Sequence, residues 1–205
     1  MVYNPQVNIT VQENITLTQA GGPGVIALIG SAQWGDSTQL MTFSSFSQLL
    51  DHYKEDAAGL TMIKGADLSY GNGAVTIKAI RVGGAGFEFA SHEFAGNTGA
   101  ETAVLTFKGL YKGTYGNNII VTVTSQGTGR NVSLTDGINV ESYTNNNATN
   151  GYATNAAIGA AINAASNLVT VTVKAGCETI KLVDAASSAL TNGNDGATLT
   201  STQYT

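Results

Sequence analysis

The stretch Gly24-Val-Ile-Ala-Leu-Ile-Gly-Ser-Ala32 is an unbroken apolar run with small residues at both ends. It is short for a helix and rich in β-branched side chains, so it reads as a strand covered on both faces. Pro23, just before it, cannot donate a ladder hydrogen bond, and Gly21, Gly22 and Gly24 interrupt regular structure. The strand therefore begins sharply. The peptide ahead of it has no obvious home in the same core. The segment behind it is a helix-containing unit that needs this strand as its floor.

The peptide ahead alternates. Val7, Ile9, Val11, Ile15 and Leu17 share one face of a strand, while Asn8, Thr10, Gln12, Asn14 and Thr16 share the other, with Glu13 as the break. Such a strand can be an edge of the local sheet, or an arm that adds to the sheet of a neighbouring molecule. The Gly21-Gly-Pro-Gly24 hinge favours the arm, because it uncouples the strand from the body. Fully extended, residues 3–18 reach about 50 Å at roughly 3.3 Å per residue, enough to cross to a neighbour.

Downstream, Gln33 to Ser37 reads as a turn and Gln39 to Phe43 as a short apolar segment. Ser44 or Ser45 can cap a helix whose Phe46, Leu49, Leu50 and Tyr53 form one stripe, ending near Lys54. A second helix is predicted from Ala57 to about Tyr70, with Leu60, Ile63 and Leu68 inward, stopped by Gly71-Asn-Gly73. Ala74 to Val82 reads as a second strand, which makes a parallel crossover unit. Residues 86–100, with Phe87, Phe89, His92 and Phe94, read as a linker. Beyond it, Val104–Phe107, Asn118–Thr124, Ile138–Tyr143, Leu168–Lys174 and Thr179–Val183 read as strands. One helix interrupts them, capped by Thr154 or Asn155, with Ile158, Ala161, Ile162 and Ala165 on its face.

Composition narrows the function. Among 205 residues only 11% are charged, and the 25 glycines go with many Asn, Thr, Ser and Ala. Such a surface suits an ordinary β-rich domain, or a protein covered by copies of itself. The net charge of −5 is spread out and no basic stripe exists, so nucleic acid is not an expected partner. No stretch approaches the roughly 20 apolar residues of a membrane helix. Met1-Val-Tyr-Asn-Pro5 shows no secretory leader. Sequons stand at Asn8, Asn14, Asn131 and Asn147, close to chance in an Asn/Thr-rich chain.

Chemistry is scarce. His52 reads as a solvated residue on the outer side of its helix, and His92, beside Glu93, lacks the second ligand a metal needs. Gly30-Ser31 lacks the glycines of a nucleophile elbow. Asn192 to Gly196 reads as a turn, since no Glu follows at the distance a calcium loop requires. Cys177 reads as a small strand-end residue. No catalytic, cofactor or metal site is expected, so the chain is read as a non-enzyme.

Four patches, in order, resemble the contractile tail sheath proteins of phages. They are Gly24 to Gly35; Thr42-Phe-Ser-Ser-Phe-Ser-Gln-Leu-Leu50 running on through Gly71-Asn-Gly73 to Val82; Tyr111-Lys-Gly-Thr-Tyr-Gly-Asn-Asn-Ile119; and Ala160 to Val169, followed by Asn192 to Gly196. The third is the most specific, similar to the family's Pro-Gly-Thr-Trp-Gly-Asn-Asn-Ile, with Lys112 for the proline and Tyr115 for the tryptophan. The resemblance implies subunits stacked as a helical tube around an inner tube, linked by terminal arms through strand addition. Family members usually continue well beyond the point where this sequence stops, so a fragment or a short, non-contracting form is expected.

The expected fold is α+β. It comprises an N-terminal arm and hinge (1–22), an incomplete α/β unit (23–85), a linker (86–100) and a mostly β, sandwich- or barrel-like domain with one helix (101–205). The expected function is structural: a subunit of a tail-sheath-like tube or filament, in a virion tail or tail-like particle assembled in the host cytoplasm, or in an extracellular filament. Copies of itself are the expected partners, with an inner tail tube protein as a further candidate. Val7, Ile9, Val11, Ile15 and Leu17 form the inter-subunit arm, and Gly21, Gly22 and Gly24 its hinge. The alternative is an exported β-rich adhesin or surface-layer module.

Overall fold

The computed structural model describes residues 24–55, 57–97, 100–101, 103–145 and 150–197. Val25–Gly30 forms strand β1, Met41–Phe43 β2, Phe46–Tyr53 helix α1, Met62–Gly71 α2 and Thr76–Arg81 β3. β1 and β3 run parallel, in register from Val25 opposite Thr76 to Gly30 opposite Arg81, and β2 lies antiparallel on the far side of β3. The crossover unit expected from the sequence is therefore present. Ser45 caps α1: its hydroxyl accepts the Gln48 N–H at 3.3 Å, while the Gln48 side-chain oxygen accepts the Ser44 N–H at 3.1 Å. Leu49 and Tyr53 are fully buried against Phe43, Met62, Ile77 and Ala79.

Two expectations about this unit do not hold. β1 is not covered on both faces: it is the edge of a three-stranded sheet, and Val25, Ile26 and Ile29 are 47%, 36% and 64% exposed. The unbroken apolar run reports residue type, not cover, since an apolar strand reads the same whether its partner is present or not. Both helices pack on one side of the sheet, so β3 buries Ile77 and Ala79 but leaves Thr76 and Ile80 only partly covered and Lys78 exposed. The second helix is also shorter than expected. It starts at Met62, where Ser31 O accepts the Thr61 and Met62 amides, and Leu68 points outward at 66% exposure.

The rest of the described chain forms two four-stranded antiparallel sheets. Phe87–Phe94 (β4), Leu105–Lys112 (β5), Val169–Val173 (β9) and Asn194–Asp195 (β11) make one, in the order β11-β4-β5-β9. Ile120–Gln126 (β6), Gly129–Thr135 (β7), Val140–Tyr143 (β8) and Ala185–Ala189 (β10) make the other, in the order β10-β6-β7-β8. A short 3₁₀ turn, Thr114–Asn118, joins β5 to β6. Helix α3, Asn155–Ala165, is capped by the Thr154 hydroxyl on the Ala157 N–H and packs on β9. Inward residues of both sheets, among them Phe107, Val121, Leu134 and Val171, share one core with Ile158 of α3. The fold is α+β, as the sequence implied.

Here too the sequence misled in places. The expected linker is strand β4, whose Phe87 and Phe89 rings lie under the ammonium groups of Lys112 and Lys108 rather than in the core. Thr179–Val183 is not a strand; Leu182 makes a single bridge to Gly96, and the sixth strand of that region is Ala185–Ala189. β7 was unforeseen. It pairs with β6 through a two-residue turn at Gly127 and Thr128.

Candidate functional site: the joint between the two cores

The arm residues Val7, Ile9, Val11, Ile15 and Leu17, and the hinge residues Gly21 and Gly22, lie outside the described residues. Gly24 is described. It stands at φ +79°, and its carbonyl accepts the amides of Val75 at 2.8 Å and Thr76 at 3.0 Å. The chain thus enters β1 already anchored to β3.

The densest polar chemistry lies where the two cores meet. Segment 31–36 leaves β1 and carries Ala32 into the smaller core and Trp34 into the larger one. Trp34 is 3% exposed and packs against Tyr111 edge-on at 5.3 Å and Tyr115 at 5.4 Å. β3 ends in Arg81, which is 1% exposed. Its guanidinium donates to Lys112 O at 2.5 Å and Gly35 O at 3.4 Å, pairs with Asp195 Oδ1 at 3.2 Å, and stacks on Phe87 at 4.6 Å. Burial pulls the Arg81 pKa down to about 10, opposed by the Asp195 charge, so the group is still a cation at neutral pH.

Asp195 serves both sides of the joint. Besides Arg81 it accepts the Thr114 N–H at 2.9 Å and the Thr114 hydroxyl at 2.5 Å. The Gly113-Thr-Tyr-Gly-Asn-Asn118 motif is therefore a clasp, and contacts of Gly113, Thr114, Tyr115 and Asn117 hold it. Gly113 sits at φ +121°, and a Cβ there would collide with the Gln33 carbonyl and crowd Arg81. The Tyr115 hydroxyl donates to Asp136 at 2.8 Å, and burial with that carboxylate pushes its pKa up. Asn117 exchanges two hydrogen bonds with Gly193, at 2.8 and 3.0 Å. Asp136 in turn accepts the Ile138 and Asn139 amides; burial pushes its pKa up, but these bonds outweigh that and hold it below the usual carboxylate value.

His52 is part of the joint, which corrects its reading as a solvated residue. It is half-buried, its Nε2 accepts the Asp36 N–H at 3.2 Å, and its ring lies 5.7 Å from Tyr111. At this position α1 faces Tyr111 of β5, while Ser47, Gln48 and Asp51 on the same helix are exposed. Burial holds the His52 pKa below its ordinary value, against the pull of Asp36 and Asp51. Sequence reasoning missed Arg81 and Asp195 as partners. The available signal was an arginine closing an apolar strand in a chain with few charges, and an aspartate inside a Gly/Asn run.

A cleft of about 750 Å³ opens beside the joint, between α1 and β8, lined by His52, Tyr111, Asp51 and Glu141 among others. Its carboxylates are already engaged. Asp51 pairs with Lys54 at 3.6 Å, and Glu141 accepts from Tyr143, Ser166 and Asn167. Among the described residues, no group of three or more His, Cys, Asp or Glu could hold a metal ion. His92 stacks on Phe94, and Cys177 is a buried core residue. Among the described residues, no helix is long and apolar enough to cross a membrane.

These features define an α+β fold in which a small helix-backed sheet is clasped to a larger β core. Two solved structures share the fold. One is the sheath tail protein Lin1278 from Listeria innocua, with a TM-score of 0.58 at 17% identity, covering 85% of this chain and 35% of that one. The other is the sheath tail protein DSY3957 from Desulfitobacterium hafniense, with a TM-score of 0.57 at 19% identity, covering 90% of this chain and 38% of that one. The chain thus spans little more than a third of the length of either. No protein-family model matches it, and no curated protein matches its sequence.

Proposed function

We propose that the chain is a structural subunit of a tail-sheath-like tube or filament, with no catalytic activity, joined to its neighbours by the strand of residues 7–17. The observation that carries this reading is the shared fold: both likenesses are to sheath tail proteins and extend over 85–90% of this chain. The open edge and exposed apolar residues of β1 support it, because a surface left bare in one subunit suits covering by another. Low charge and an engaged set of carboxylates fit a building unit better than a hydrolase. On this reading the particle is a phage-type tail or a filament derived from one, and an inner tube protein is a candidate second partner.

Electron microscopy of purified protein tests the proposal. The full chain should form tubes or filaments, and a chain lacking residues 1–20 should stay a folded monomer by circular dichroism and light scattering. Tubes at normal yield from the truncated chain would remove the arm from the mechanism. A full chain that is monodisperse under all assembly conditions would remove the function. The adhesin alternative gains no support at its Asn131 sequon, where the side-chain amide nitrogen is already bonded to Gln126 on β6.

A further inference from the structure

An asparagine followed by glycine can modify itself, because the glycine nitrogen can attack the side-chain carbonyl carbon and no side chain on glycine blocks the approach. The chain has three such pairs, Asn72-Gly73, Asn150-Gly151 and Asn192-Gly193. The attack needs a glycine N–H that can leave its hydrogen bond and an asparagine side chain free to swing round to it. The fold treats the three pairs differently. Gly151 is buried, donates to Gln126 O at 2.9 Å, and packs so closely on Arg130 that a methyl group there would meet its backbone at 2.7 Å. The Asn150 side-chain oxygen accepts both the N–H and the hydroxyl of Thr128, at 3.0 and 3.3 Å. Gly193 is locked into the clasp: its N–H donates to the Asn117 side chain at 2.8 Å, and its carbonyl accepts from the same side chain at 3.0 Å. Freeing either nitrogen means undoing contacts between segments distant in the sequence.

Asn72 has no such restraint. It is exposed at the end of α2, and no atom lies within 4 Å of where a side chain would begin on Gly71 or Gly73. The Gly73 N–H donates to Tyr70 O at 3.1 Å, and the Asn72 amide donates to Leu68 O at 2.7 Å. Both bonds lie in the last turn of the helix, and fraying of that turn, which costs little free energy, releases them together. The Asp136-Gly137 and Asp195-Gly196 pairs carry carboxylates, which have no ammonia to lose, and hydrogen bonds hold both in place.

We propose that Asn72 is a site of spontaneous modification, at which the folded chain converts asparagine to isoaspartate and aspartate; the proposal is independent of the assembly reading. Solvent base removes the Gly73 amide proton, and the nitrogen forms a bond to Asn72 Cγ. The Cγ–Nδ2 bond then breaks, and the departing nitrogen regains a proton and leaves as ammonia. Water opens the resulting succinimide. Cleavage at the main-chain carbonyl leaves isoaspartate, and cleavage at the side-chain carbonyl leaves aspartate. The product deprives Leu68 O of its donor and sets a carboxylate at the negative end of α2. The same turn leads into Val75 and Thr76, whose amides hold Gly24 O, so modification loosens the small core where β1 and β3 begin.

The full chain is incubated in warm, mildly alkaline buffer, both folded and in urea, then digested with trypsin. Asn72 is the only asparagine of peptide 65–78, so a gain of one mass unit there identifies it, and isoaspartyl methyltransferase labelling detects the isomer. In urea all three pairs should react at similar rates. In the folded chain Asn150 and Asn192 should slow by at least about tenfold more than Asn72, since a helix end frays far more often than a sheet-anchored turn opens. Reaction of Asn150 or Asn192 ahead of Asn72, or slowing of all three alike, would overturn the proposal. Asn72→Gln keeps the amide but requires a larger ring, and should silence peptide 65–78 with circular dichroism unchanged. A product that persists in Asn72→Gln would place the chemistry on another residue and overturn it as well. Asn72→Asp, which reproduces one product, should speed hydrogen exchange in α2. Unchanged exchange would overturn the loosening of the small core while leaving the site itself standing.

Discussion

At the scale of single residues, the joint depends on one buried cation. Arg81 is 1% exposed, and its charge is balanced by an Asp195 side chain at 15% exposure. Removing one partner of such a pair strands the other, which costs more than the pair itself contributes. Asp195→Ala also strips two acceptor contacts from Thr114. The expected loss is about 2–4 kcal/mol in urea unfolding, discounted for partial exposure of the carboxylate. Asp195→Asn, which keeps an acceptor oxygen for Thr114, should lose less. A change for Asp195→Ala no larger than that of a surface substitution would mean that the clasp is ornamental. His52 gives the joint a pH dependence of known sign. In the folded chain its pKa is held below 6.5, by burial and against the pull of Asp36 and Asp51, and as an acceptor for Asp36 N–H it must be neutral at Nε2. The unfolded chain therefore binds the proton first. Its contribution is complete above pH 6.5 and is lost as pH falls from there through the depressed folded value. The melting temperature should drop over that window, and His52→Gln should flatten the drop. An unaltered pH profile in His52→Gln would place the titration elsewhere.

At the scale of elements, legibility followed the strength of the local signal. α1 was readable because a capping serine, a four-residue apolar stripe and a stop at Lys54 all agree. β1 and β3 were readable as strands, but their cover was not, since periodicity cannot report an absent partner. β4 was hidden because Phe87 and Phe89 sit outside the core under Lys108 and Lys112, which lie a strand away, so only Ala90 and Phe94 mark its buried face. β10, Ala-Ala-Ser-Ser-Ala, has almost no strand propensity; β6 holds it through pairing and a Thr122–Ser187 hydroxyl contact. β7 carries only Val132 and Leu134 as buried apolar residues, too few to stand out from the polar segment around them. The joint divides in the same way. The Gly113–Asn118 motif could be picked out by its resemblance, whereas the Arg81–Asp195 pair spans 114 positions and has no local signature.

At the scale of the whole molecule, the two cores are unequal, and that sets the order in which they open. The larger core is enclosed by two four-stranded sheets and α3, with Phe107, Val121, Leu134 and Ile162 essentially inaccessible. The smaller core is built on three strands with helices on one side only, and its outer strand leaves Val25 and Ile29 in water. Less apolar area is withdrawn from solvent per ordered residue there, so less free energy opposes the backbone entropy gained on opening. Local opening should therefore begin in the α/β unit and leave the β sheets closed. Hydrogen exchange on the truncated monomer lacking residues 1–20 would measure this directly. Amides of β3 that bond to β1 should exchange well before those of β6 and β7, and the outward amides of Val25, Ala27 and Ile29 should exchange fastest within β1. The reverse order would mean that the small sheet is stabilised by something other than the core it encloses. Equal protection throughout would mean that the clasp at Arg81 and Asp195 fuses the two cores into one cooperative unit. In that case Asp195→Ala should separate them, releasing the α/β unit to exchange first.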